Sequence, residues 1–207
     1  MFKAWLSRLL SGTIPEDAAK DPSTFFSSLP RIETDDLILR PVQMRDARDI
    51  YAYASDPEVA RYVLWDPHQS LAETKEYIRY IRGLYRRGLP SSWAAELRSE
   101  SRVIGTIGFM YYAPPHGTCE IGYSFSRNYW NCGYATQALT AVIRCAFDHL
   151  PDLCRIEAQH DIRNPASGRV MQKSGMLREG ILRSRLYNKN EHIDVALYAI
   201  VREDWNP

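Results

Sequence analysis

Residues 135–150 carry apolar side chains at helical spacing: Ala135, Ala138, Leu139, Val142, Ile143, Ala146, Phe147 and Leu150. That stripe predicts a helix with one buried face. Just before it stands Trp130-Asn131-Cys132-Gly133-Tyr134-Ala135-Thr136. Gly133 allows a tight turn and a close backbone approach, because it has no Cβ. A helix that starts from such a turn aims several free N–H groups at one point. The macrodipole adds positive charge there, which suits a pyrophosphate.

The rest of the chain alternates between strand-like and helical runs. Residues 33–41 predict a strand ending at Pro41. Ala47, Ile50, Tyr51 and Ala54 predict a helix from Asp46, broken at Ser55-Asp56-Pro57, then a short helix through Val63. Ser70-Leu71-Ala72-Glu73 is a capping box that opens another helix, with Tyr77, Ile78, Ile81, Leu84 and Tyr85 on one face. Gly88 and Pro90 end it. Residues 92–98, 103–111 and 119–125 predict three strands with short turn-prone links, hence an antiparallel meander. Residues 154–160 alternate as a strand. Asn164-Pro165 then opens a helix that Gly175 closes. Residues 177–187 and 192–202 flank Asn188-Lys189-Asn190-Glu191, a hairpin signal.

The expected fold is therefore α/β (α+β): a mixed, mostly antiparallel sheet of about seven strands with helices on both faces. The central glycine loop lies where an α/β layer fold places a phosphate-bearing ligand.

The first 30 residues read as an extension, and residues 31–207 as the domain. Phe2, Trp5, Leu6, Leu9 and Leu10 form a short apolar stripe, and residues 11–30 are rich in Ser, Pro, Asp and Gly, as a linker is. The stripe suits docking onto the chain's own domain or onto a second subunit, the latter making a homodimer. Ten residues give a membrane surface little to hold.

Composition narrows the function classes. With 207 residues, 45% hydrophobic, 25% charged and a formal net charge of +1, the chain has no global pull toward nucleic acid. No apolar run approaches the roughly 20 residues of a membrane span. Cys119, Cys132, Cys145 and Cys154 show no Cys-x-x-Cys spacing and no secretory signal precedes them, which argues against a metal and for a cytoplasmic setting. Cys132 lies in the central loop, but no motif places a His or Asp beside it as a nucleophile requires.

Four stretches, in order, resemble the GNAT acyl-CoA N-acyltransferases, and within them the ribosomal-protein N-terminal (alanine/serine) acetyltransferase-like branch. These are residues 32–41 (Ile-Glu-Thr-Asp-Asp-Leu-Ile-Leu-Arg-Pro), Glu120-Ile121-Gly122-Tyr123 with the 130–136 loop, Asn164-Pro165-Ala166-Ser167 leading to Lys173-Ser174-Gly175-Met176, and Tyr198-Ala199-Ile200 with Asp204-Trp205. The likeness spans roughly residues 31–205. The chain departs from the pattern at Trp130, where the superfamily has Gln or Arg, at Asn131 for Gly and at Gln137 for Glu. None of these removes a backbone amide.

The resemblance implies an acetyltransferase that uses acetyl-CoA as co-substrate and no metal. An amine, either a peptide or protein N-terminus or a small molecule, would attack the thioester directly. It assigns the N–H groups of Cys132, Gly133, Tyr134, Ala135 and Thr136 to the pyrophosphate. The backbone of the Tyr123–Phe125 strand would face the thioester carbonyl, and Asn164 the pantetheine arm. Glu120 is the candidate base, on the strand face of Gly122 and Ser124; Glu191 and Asp194 are second choices. Ser167 stands where many relatives have a Tyr at the departing thiolate. Tyr53, Tyr62, Trp65, Tyr85 and Trp93 are candidates for an acceptor cleft or for plain core. A non-catalytic acyl-CoA-binding sensor remains open beside the enzyme. An unrelated nucleotide-binding module is weakened, since the loop has no lysine and no Gly-x-x-x-x-Gly-Lys-Ser/Thr occurs.

Overall fold

A computed structural model describes residues 21–205 of the chain. In chain order these residues form α1 (Pro22–Ser27), β1 (Ile32–Glu33), β2 (Leu37–Pro41), α2 (Ala47–Ala54), α3 (Pro57–Ala60), α4 (Leu71–Arg86), β3 (Ser92–Leu97), β4 (Arg102–Ala113), β5 (Thr118–Phe125), α5 (Tyr134–His149), β6 (Arg155–Asp161), α6 (Pro165–Lys173), β7 (Leu177–Asn188) and β8 (Glu191–Val201). The strands make one eight-stranded sheet in the order β1-β2-β3-β4-β5-β6-β8-β7. All neighbours are antiparallel except β5 and β6. The mixed α/β architecture is the expected one. There are eight strands rather than about seven because the first run folds back on itself, pairing Ile32 with Leu39.

Strand alternation builds two cores. Trp93, Ala95, Leu97, Ile107, Phe109, Cys119 and Ile121 face α5, α6 and α1 in the larger one. Ala94 and Val103 face α2, α3 and α4 in the smaller. Arg40 fixes the second layer to the sheet: its guanidinium donates to both Asp46 oxygens at 2.8 and 2.9 Å and to Glu96 at 2.7 Å. Asp46 in turn accepts from the Gln43 N–H ahead of α2.

Residues 21–30 are not a linker. They carry α1, with Asp21 accepting from Ser23 N–H as its cap and Pro22 in the first turn. Phe25, Phe26 and Leu29 are buried in the larger core, where both rings pack edge-on against Phe109. The Trp93 indole donates to the Pro30 carbonyl at 2.8 Å. The proposed stripe in residues 1–10 and the rest of the linker lie outside the described residues. Among the described residues, no helix is long and apolar enough to cross a membrane.

The parallel pair positions the site. A parallel connection needs a crossover, which α5 supplies. β5 and β6 pair over only Thr118–Arg155, Cys119–Ile156 and Glu120–Glu157. Beyond Glu120 they part, β5 following β4 to Phe125 and β6 following β8 to Asp161. The β4–β5 register shifts between Phe109 and Tyr111, a bulge at Met110 opposite the point of parting. A bulge bends the strand that carries it, here β4, and increases the local twist, at the level where β5 and β6 part.

Phe26→Ala removes a side chain that is 1% exposed. It should lower unfolding free energy by about 3–5 kcal/mol in urea titration. A loss under about 0.5 kcal/mol would show that residues 21–30 do not belong to the folded domain.

Candidate active site

The carboxyl end of β5 leads into the loop and α5. Gly133 caps the helix at φ +87°, in the left-handed region, and Asn131 shares that region at +63°. A Cβ on Gly133 would meet nothing within 4 Å, so glycine is required here for its backbone angle and its outer side is open. Among the described residues, no side chain caps α5, and no acidic residue stands in its first turn. The first intrahelical bond runs from Gln137 N–H to the Gly133 carbonyl. Among the described residues, none of the N–H groups of Asn131, Cys132, Gly133, Tyr134, Ala135 or Thr136 has an acceptor. Six such donors at a helix N-terminus make an anion cradle.

Gln137 anchors this end of α5. Its amide donates to Asp36 at 2.6 Å and accepts from the Thr34 hydroxyl at 3.0 Å. The Trp130 indole N–H donates to the Phe125 carbonyl at 2.8 Å, tying the loop to the end of β5. Cys132 is exposed, its Sγ approaching only the Trp130 carbonyl at 3.5 Å. Among the described residues no base reaches it, which gives a nucleophilic Cys132 no support.

Backbone directions on β5 follow from one bond. Ser126 N–H donates to the Ile104 carbonyl at 2.8 Å, so residues 122, 124 and 126 turn their N–H groups toward β4. By alternation, those of Tyr123 and Phe125 point into the gap that β6 has left. The Phe125 side chain is itself core.

A cavity of about 580 Å³ passes through this gap and touches both faces of the sheet. Glu120, Tyr123, Asn164 and Ser167 all line it. The loop residues 132–136 are not on its wall; β5 connects the two parts of the site. On the face shared with α5 and α6, the Tyr123 phenol lies 2.9 Å from Ser167 Oγ and 3.0 Å from the Ser167 carbonyl. Burial raises the Tyr123 pKa, so the phenol keeps its proton. It has one proton for two acceptors. Donation to Oγ leaves the serine hydroxyl proton free for the cavity. Asn164 Oδ1 accepts from Ser167 N–H at 3.4 Å as the cap of α6, while its amide nitrogen keeps two donors.

On the opposite face stands Glu120. Gln159 Nε2 donates to both its oxygens, at 3.0 and 3.1 Å. Burial pushes the Glu120 carboxyl above the usual glutamate range; the Gln159 bonds oppose this, Glu157 adds to it and Arg185 opposes it. The Met110 side chain lies over Gly122, where a Cβ would sit 2.8 Å from its sulfur. Burial disfavours the charged form of neighbouring Asp161, yet hydrogen bonds from the Arg163 guanidinium, at 2.6–3.1 Å, outweigh it and hold the carboxyl below the usual range.

The second-choice carboxylates lie elsewhere. Glu191 is paired with Arg163 and Asp194 accepts from Ser184 N–H, and neither is on the cavity wall. Of the five candidate aromatics, Tyr62 and Trp65 line the cavity; Tyr53 and Trp93 are core. The Tyr85 hydroxyl instead bridges Val42 N–H and the Ser92 carbonyl. The β7–β8 turn closes over this end, with Lys189 Nζ donating to the Val63 carbonyl at 2.8 Å and Asn188 Nδ2 at 3.2 Å. Gln159 and Met110 escaped sequence reading. Their roles depend on the β5–β6 register and the bulge, neither of which periodicity reports. Among the described residues, no three His, Cys, Asp or Glu side chains group as metal ligands would.

Comparison with known proteins agrees with this geometry. The family model for the acetyltransferase (GNAT) domain matches residues 36–177. An N-acetyltransferase of Bacillus subtilis, YoaA, is 35% identical over 173 residues, covering 84% of this chain and 97% of its own. The ribosomal protein uS5 alanine N-acetyltransferase of Escherichia coli is 26% identical over 185 residues, 86% of this chain and 93% of that one. A crystal structure of a GNAT-family acetyltransferase from Bacillus anthracis superposes with a TM-score of 0.75 at 30% identity, covering 84% of this chain and 99% of that chain.

The cradle predicts that Gly133→Glu weakens acetyl-CoA binding at least about tenfold in calorimetric titration, since it places a carboxylate among N–H groups suited to an anion. Wild-type protein should leave ATP, the control, unbound. Unchanged acetyl-CoA affinity in the variant would remove the phosphate role from this loop.

Proposed function

Because this chain belongs to the GNAT family and is an N-acetyltransferase, we propose that it moves the acetyl group of acetyl-CoA directly to a primary amine, with no acyl-enzyme intermediate. One observation carries the reading: a single cavity crosses the sheet where β5 and β6 part, with Glu120 on one side and the Ser167 hydroxyl on the other. The acceptor and the thioester then meet in the gap from opposite faces.

Each residue has a defined task. The N–H groups of 132–136 hold the pyrophosphate. The amide nitrogen of Asn164 faces the pantetheine arm. The N–H groups of Tyr123 and Phe125 donate to the thioester oxygen as negative charge develops on it. Glu120 receives the amine's proton, directly or through a water. An N–C bond forms, the C–S bond breaks, and sulfur leaves with the electron pair. The Ser167 hydroxyl, supported by the Tyr123 phenol, donates a hydrogen bond to that sulfur. A free α-amine, with pKa about 7.7–8.0, demands little of a base. Its relatives' names favour a peptide or protein N-terminus as acceptor, with a small amine as the alternative. The free thiols of the four cysteines fit a cytoplasmic setting.

The test is acetyl addition to peptides and small amines, read by mass shift, with the pH dependence of kcat/KM. The acid limb set by Glu120 should lie above the ordinary glutamate pKa of about 4.3, because the carboxyl must be ionised to act and burial raises its pKa. Glu120→Gln should lower kcat/KM by about 100-fold or more at neutral pH and abolish that limb. A variant that retains the wild-type profile would transfer the proton to another group.

A further inference from the structure

On the acceptor side of the cavity, among the described residues, one wall carboxylate has no ion-pair partner. Among the described residues, its wall holds two carboxylates, Glu120 and Asp161, and no lysine or arginine. Asp161 is fully engaged by Arg163 through both oxygens. His160 is held toward its neutral form by burial, and its Nδ1 lies 2.8 Å from the Asp161 carbonyl. Among the described residues, Glu120 has only the neutral Gln159 amide bonded to it and forms no ion pair; Arg185, exposed and off the wall, acts on it from a distance, and the Lys189 ammonium, also off the wall, is held by the Val63 and Trp65 carbonyls.

Around that one carboxylate the wall is apolar and open. Leu64, Tyr80 and Met110 line it while 59%, 62% and 62% exposed, and Tyr111 and Trp65 lie among them. Large apolar side chains gathered exposed at one mouth mark a surface that another molecule covers.

Resting on the acetyltransferase reading, we propose that the acceptor is a singly charged amine with an apolar body and no free carboxylate. Its simplest form is an α-amine whose own carboxyl is tied up in an amide, beside an apolar or aromatic side chain. The ammonium pairs with Glu120 before losing its proton, and the side chain covers the mouth. A free amino acid would bring its carboxylate beside Glu120 with no cation on the wall to receive it, which is costly by repulsion and by desolvation. A polyamine or aminoglycoside would bring further ammoniums to a wall with no second free carboxylate. A phosphorylated acceptor meets the same deficit of cations as a free amino acid.

Three probes separate these cases: L-phenylalaninamide, L-phenylalanine and spermidine. Each is titrated calorimetrically into the full chain saturated with coenzyme A, and each is offered with acetyl-CoA for acetyl addition by mass shift. Phenylalaninamide should bind about tenfold or more tightly than either other probe and be acetylated preferentially. Leu64→Lys, which adds a cation to the wall itself, should narrow the gap between phenylalanine and its amide by at least about tenfold. Equal or tighter binding of phenylalanine or spermidine would overturn the proposal. So would failure of all three to bind protein that still binds acetyl-CoA. Wild-type protein that does not bind acetyl-CoA would overturn the acetyltransferase reading itself, a separate result.

Discussion

Everything in the site depends on how briefly β5 and β6 stay paired. A parallel pair of three residues is enough to hold the two halves of the sheet in register, and its early end leaves a gap. Had the pairing continued, the N–H groups of Tyr123 and Phe125 would be spent on β6 carbonyls, and no cavity would cross the sheet. The bulge at Met110, on β4, sits opposite Glu120, the last residue of β5 that pairs with β6. The same residue then covers Gly122 on the Glu120 face, so the irregularity beside the gap also shapes its lining.

Each flank of the gap is held from outside by a neighbouring strand. β5 is held along its length by β4, and β6 by β8. Gln137 fixes the start of α5 to the β1–β2 turn, and the Trp130 indole closes the end of β5 onto the loop. The unpaired amides of the loop are therefore pre-oriented, and binding an anion there costs little reorganisation. Opposite charge demands are kept apart: donors without an acceptor at the α5 end, an unpaired carboxylate with a raised pKa on the other face.

Much of this was legible from residue order. The apolar stripe of α5, the glycine before it, the β3–β5 meander and the Asn164-Pro165 helix start all follow from local chemistry, and the resemblance in four stretches gave the family. What escaped depends on partners distant in sequence. Phe25 and Phe26 sit in a Ser-, Pro- and Asp-rich run whose composition reads as linker, yet the core takes both rings. The turn at 34–36 that splits the first strand is stabilised by Gln137, about a hundred residues on. Gln159 can be tied to Glu120 only once the β5–β6 register is known. The Tyr123 phenol reaches Ser167 on α6, so a residue whose backbone alone drew attention also contributes its side chain.

The claim that unpaired backbone amides, rather than side chains, hold the co-substrate has a direct test in amide NMR. On titration of isotope-labelled protein with coenzyme A, the N–H resonances of residues 131–136 and of Tyr123 and Phe125 should shift together and saturate with one affinity. Their hydrogen exchange should slow at the same time. Shifts confined to other parts of the chain, with these amides unmoved, would contradict the account.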